Sequence, residues 1–134
     1  MSGPIHVCVA DDRPINRTLM AHKLAKVHPS WKVLLCDTAE QVLEEWEHVE
    51  LLIIDNDFGA GKLRGSEAIR LIRQREHGED LLIALWSAER IQDDPGANFM
   101  WEKTVGPDTM AHDLGQLLGR EQLVCADGVA TNRC

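Results

Sequence analysis

Short runs of consecutive apolar residues recur along this chain at residues 5–10, 31–36, 51–54, 81–86 and, more briefly, 98–101. Between the first four lie segments whose apolar residues return every three or four positions. Near-continuous apolar runs are covered on both faces, which is the habit of parallel strands. Alternation with amphipathic helices then implies βαβ units around a parallel sheet. The 134 residues, 44% of them hydrophobic, suit one compact domain.

Local signals place the helices. Pro14 suits a first helical turn, where its missing N–H is no loss. Ile15, Leu19, Met20, Leu24 and Val27 follow at helical spacing, and Pro29 closes the segment. Thr38 with Gln41 forms a capping box ahead of Ala39, Val42, Leu43 and Trp46. Gly65 and Ser66 open a third helix carrying Ala68, Ile69 and Ile72, with Arg70, Arg73 and Arg75 interspersed. Asp108 or Thr109 is expected to cap a last helix through Met110, Leu114, Leu117 and Leu118, ended by Gly119. Between the fourth and fifth strands the chain is too short for a full helix, and Asp93, Asp94, Pro95 and Gly96 read as a turn. One domain over residues 1–119 is expected, with a polar tail at 120–134.

Composition narrows the function classes. Net charge is −8, from 22 acidic and 14 basic side chains, without the clustered basic face of a nucleic-acid binder. The start has no signal-peptide pattern and no stretch is long enough to span a membrane, so a cytoplasmic protein without membrane contact is expected. Cys8, Cys36, Cys125 and Cys134 form no CxxC, and Cys8 and Cys36 read as buried free thiols. The six histidines form no HxH or HExxH. Residues 59–63, GAGKL, fail the phosphate-loop pattern because Asn56 and Leu63 stand where Gly and Ser or Thr are needed. The four tryptophans read as packing residues.

The chemistry collects at strand ends. In an open parallel sheet, ligands bind beyond the carboxyl ends of the strands. The first strand ends on Asp11 and Asp12, the third on Asp55, the fourth on Ser87, and the fifth runs into Lys103. Clustered carboxylates repel unless a cation joins them. Mg²⁺ takes oxygen ligands and often combines one or two carboxylates with phosphate oxygens. A carboxylate such as Asp55 serves as a nucleophile toward phosphorus, and a lysine neutralises the transferring oxygens.

This pattern resembles the receiver domain of two-component response regulators over residues 5–118. It rests on VADD at 9–12, LLIID at 51–55, GSEAIRLIR at 65–73, LWSA at 85–88 and WEK at 101–103. The resemblance implies a flavodoxin-like α/β fold, a five-stranded parallel sheet in order 2-1-3-4-5 with helices on both faces. It implies Asp55 as phosphoacceptor, Mg²⁺ held by Asp11, Asp12, Asp55 and the backbone carbonyl of Asp57, Ser87 as switch hydroxyl, and Lys103 as phosphate contact. The implied donor is a histidine kinase or a histidine-containing phosphotransfer protein, with a downstream protein as target. The chain departs from the family at five places, the first being the segment from Ser87 to Lys103, which is too short for the family's full fourth helix. Phe58-Gly59 replaces Met-Pro, the loop to Gly65 is longer, Met100 holds the aromatic switch position, and Thr104 follows Lys103 in place of proline, so a trans bond is expected there. Asp57 and Glu89 stand where the family tunes phosphate lifetime. Two rival readings stay open: a pseudo-receiver that binds protein without phosphorylation, and a haloacid-dehalogenase-like phosphatase using Asp55 and Asp57.

Overall fold

The computed structural model describes residues 4–88 and 94–115. The strands are β1 (His6–Ala10), β2 (Lys32–Cys36), β3 (Leu51–Asp55), β4 (Leu82–Ser87) and β5 (Phe99–Glu102). The helices are α1 (Pro14–Val27), α2 (Ala39–Glu45), α3 (Gly65–Arg73) and α4 (Pro107–Asp113), and two single 3-10 turns lie at Trp46–His48 and Gly78–Asp80. The sheet order is β2-β1-β3-β4-β5 and every pairing is parallel. This is the expected doubly wound sheet, with the expected order.

Side chains alternate across the strands, so each face builds its own core. Leu52 and Ile54 of β3 pack with α2 and α3 through Val42, Ala68, Ile69 and Ile72. Leu51 and Ile53 pack on the other face with Met20 and Leu24 of α1 and Met110 of α4. All five residues of β3 are buried, as a central strand requires. The Cys8 and Cys36 thiols lie buried and unbridged with their sulfurs 3.4 Å apart. Trp31, Trp46, Trp86 and Trp101 are all buried, as expected of packing residues.

Two expectations about helix caps need correction, and the apolar residues of α1 divide between two faces. Ile15 and Leu19 are 61% and 49% exposed, while Met20 and Leu24 are fully buried. One residue turns a helix by about 100°. Ile15 and Leu19 therefore share a stripe rotated away from the one that Met20 and Leu24 aim at the sheet. At α4 the N-cap is Gly106, with Pro107 in the first turn, and neither Asp108 nor Thr109. At α2, Thr38 Oγ1 does accept from Gln41 N–H at 3.0 Å, but Gln41 returns its bond to Asp37 N–H, one residue earlier than the capping box predicts. Leu117, Leu118, Gly119, Glu89, Asp93, Cys125, Cys134 and the 120–134 tail lie outside the described residues.

Among the described residues no helix links β4 to β5. Asp94 to Ala97 form the expected turn, closed by Ala97 N–H to the Asp94 carbonyl. A cleft of about 960 Å³ runs between α3 and this turn. Arg73, at the last residue of α3, ties the connection down. Its guanidinium donates to the carbonyls of Gly96, Gly78 and Leu81 and to Asn98 Oδ1, all at 2.7–2.9 Å. Asn98 Oδ1 also accepts from Ile83 N–H at 2.8 Å, which joins this network to β4. Arg73→Met keeps the stem and removes all four bonds, leaving carbonyls on buried Gly78 and Leu81 unpaired. A loss of about 3 kcal/mol of stability in urea titration is expected, since hydrogen bonds to charged donors are the strong ones. A change below about 0.5 kcal/mol would show that water replaces them fully.

Candidate phosphoryl-transfer site

The carboxyl ends of β1, β3 and β4, with the residue after β5, meet at one edge of the sheet. Register makes this happen: Asp55 of β3 lies opposite Trp86 of β4, and Ser87 opposite Glu102 of β5. Lys103 continues the ladder by donating its N–H to the Ser87 carbonyl at 2.9 Å. The backbone of Lys103 is also held from α1, where Lys23 Nζ donates to its carbonyl at 3.2 Å.

Carboxylate oxygens of Asp11, Asp12 and Asp55 come within 4.8 Å of one another. Asp11 is fully buried, Asp55 is 9% exposed and Ser87 is 7% exposed. Asp12 faces solvent. Asp11 is the most heavily bonded of the three. Its Oδ1 accepts from Arg13 N–H at 2.9 Å and its Oδ2 from Asn16 Nδ2 at 3.2 Å and from Lys103 Nζ. The first two bonds hold the start of α1, where a carboxylate favours the helix dipole. Arg17 adds a bond to the Asp11 carbonyl at 2.7 Å. None of these local partners was drawn from the sequence; Asp11 lying two and five residues before Arg13 and Asn16 was the available signal.

Asp55 sits 3.7 Å from Lys103 Nζ and accepts from Asn56 N–H at 2.8 Å. Asn56 then anchors α3, its carbonyl accepting from Gly65 N–H and its Oδ1 from Ser66 N–H. A Cβ at Gly65 would lie 2.1 Å from the Asp55 carbonyl oxygen, so glycine is what lets α3 seat directly on the strand end. Gly59 and Gly61 take positive φ in the loop between, which spares it side-chain strain. Asp57 is exposed and its carboxylate accepts from Gly59 N–H at 2.9 Å, outside the acid cluster. The peptide after Lys103 is trans, as expected without proline.

Three carboxylates face one ammonium, so negative charge is in excess. Burial pushes the Asp55 carboxyl up to about 6, Asp11 adds to the rise, and Lys103 and the backbone N–H groups of Asp57 and Asn56 oppose it. The donor set consists of hard oxygens and suits a divalent cation such as Mg²⁺. Because the folded carboxyl holds its proton to higher pH than an unfolded one, the folded state binds more protons between about pH 4 and 6. Stability therefore falls as pH rises through that window and stays lowered above it. The penalty is about 3 kcal/mol. In metal-free buffer, Asp55→Asn is expected to exceed wild type in stability by up to that amount at about pH 7.5, with the advantage shrinking toward about pH 4. Equal urea midpoints at the higher pH would contradict the charge burial.

Neither a protein-family model nor a curated protein sequence matches the chain. Solved structures do match in fold. The receiver domain of a sensor histidine kinase from Pseudomonas aeruginosa, with a magnesium ion in its active-site cleft, superposes with a TM-score of 0.74 at 22% identity over 87% of this chain and 99% of that one. A Vibrio cholerae chemotaxis response regulator superposes at 0.67 with 17% identity, over 89% and 99% of the two chains. The receiver domain of a Saccharomyces cerevisiae response regulator, crystallised with a histidine phosphotransfer signalling protein, superposes at 0.65 with 21% identity, over 83% and 86%. The chain has the fold of the response-regulator receiver domains.

Proposed function

We propose that this protein is a phospho-accepting receiver domain of two-component signalling, with Asp55 as the acceptor. The observation that carries the reading is the acid cluster, two of its three carboxylates buried, with Lys103 at the carboxyl edge of a receiver-fold sheet. A free Asp55 oxygen attacks phosphorus; the O–P bond forms as the N–P bond of a donor phosphohistidine breaks, and the imidazole leaves with the electron pair. Lys103 Nζ neutralises charge on the phosphoryl oxygens, and the Ser87 hydroxyl donates to one of them. Asp11, Asp12, Asp55 and the Asp57 carbonyl would hold Mg²⁺, which when bound supplies further positive charge to those oxygens. Asp57 and Glu89 tune hydrolysis of the acyl phosphate. A phosphatase using Asp57 as its second acid is disfavoured, because that carboxylate is engaged with Gly59 away from the cluster.

The donor reaches Asp55 past the start of α1. Ile15 and Leu19 expose one apolar stripe there, which suits packing against a histidine kinase or histidine-containing phosphotransfer protein. The reading has the chain acting in the cytoplasm, without nucleic acid, and passing its state to a downstream protein.

Intact mass after incubation with acetyl phosphate tests the chemistry. A Mg²⁺-dependent gain of one phosphoryl group, lost in Asp55→Asn, is expected. No adduct and no released phosphate would favour a pseudo-receiver that binds protein without phosphorylation. Ile15→Ser with Leu19→Ser is expected to slow transfer from a phosphorylated phosphotransfer protein by about tenfold or more, the scale of losing two packed apolar side chains. Labelling by acetyl phosphate, which needs no docking, is expected to persist; equal slowing of both would contradict the docking role.

A further inference from the structure

We propose that Trp86 is a positioning residue whose indole face holds the Lys103 ammonium inside the acid cluster. Lys103 carries a flexible stem on the residue after β5, and a stem of that kind has many rotamers open to it. Backbone bonds hold its main chain but leave the side chain to find its own place. Its Nζ nevertheless sits 3.9 Å from the centroid of the Trp86 ring while it bonds Asp11 and lies 3.7 Å from Asp55. An ammonium over an indole face is attracted by the ring quadrupole, most strongly where water is excluded. Trp86 is 1% exposed, and its neighbours on β3 and β5 fix it from both sides.

A second observation separates this role from packing. The Trp86 Nε1–H is buried and has no hydrogen-bond partner among the described residues. A buried unpaired donor is unfavourable, and leucine or phenylalanine would fill a β-strand core site without one. Trp101, its neighbour on β5, does satisfy its indole N–H, on Asp113. What Trp86 offers that leucine lacks is the π face under Lys103. Two carboxylates can draw an ammonium from one to the other; a ring beneath it lets it swing between them without retreating to solvent.

The consequence for phosphoryl transfer rests on Asp55 being the acceptor; the placement of Lys103 does not. The experiment therefore has two arms on the full chain. In the first, exchange of the Lys103 ammonium protons with water is followed by NMR, with Lys103→Arg assigning them. Exchange is expected to be slow in wild type and in Trp86→Phe, and as fast as that of the exposed lysines in Trp86→Leu. Equally slow exchange in a folded Trp86→Leu would overturn the proposal. So would fast exchange in Trp86→Phe if Trp86→Leu does not fold. In the second, acetyl phosphate labelling is expected to slow about three- to tenfold in Trp86→Leu, and less in Trp86→Phe, the span of a partly desolvated cation–π contact. A released Lys103 with an unslowed rate would overturn the positioning role. Absence of labelling in wild type would strike the functional reading alone, and the NMR arm would still decide where Lys103 is held.

Discussion

Two buried carboxylates, Asp11 and Asp55, share a single ammonium, and the arrangement of the chain follows from keeping that trio together. Buried charges are tolerated only when paired and hydrogen-bonded. The pairing needs β1, β3 and the end of β5 to finish at the same edge, which an all-parallel sheet guarantees. It needs Lys103 at one register position, and the ladder bond to Ser87 supplies that. It also needs α1 and α3 to start at the same edge. Asp11 itself holds the first through Arg13 and Asn16, and Gly65 admits the second. The acids of the cluster thus also pin the local structure, so Asp11→Asn tests charge and helix start together.

The β4–β5 connection has a different basis. The receiver pattern puts a helix there, yet among the described residues the link is a turn, held by Arg73 and Asn98. A guanidinium with fixed fork geometry does what a packed helix would otherwise do: it satisfies carbonyls and sets the spacing between α3 and β5. The cleft beside it is bordered by Arg64, Arg70 and Ser66 as well as Leu85.

Much of this was legible in the sequence because strand and helix signals are local and strand ends are where a parallel sheet gathers its chemistry. Apolar runs located all five strands to within a residue. The rule of strand ends alone brings Asp11, Asp12, Asp55, Ser87 and Lys103 to one edge. What escaped notice depends on direction or on distant partners. Spacings of three and four placed Ile15, Leu19, Met20 and Leu24 in one helical pattern without separating the exposed stripe of the first two from the buried stripe of the others. Arg73 read only as one of three basic residues interspersed along the third helix, because nothing in sequence shows that three carbonyls and an amide converge on it. Trp86 read as packing, since the lysine above it follows a different strand. Gly106 was passed over as a cap because two better side-chain candidates follow it.

The most direct test of the central claim is a crystal structure with Mn²⁺ in place of Mg²⁺ and beryllofluoride in place of the phosphoryl group. The account predicts an anomalous peak among the Asp11, Asp12 and Asp55 oxygens, beryllium bonded to Asp55, and Lys103 Nζ turned from Asp11 to a fluorine. An acid cluster without metal, or beryllofluoride absent from Asp55 with the Lys103–Asp11 pair intact, would contradict it.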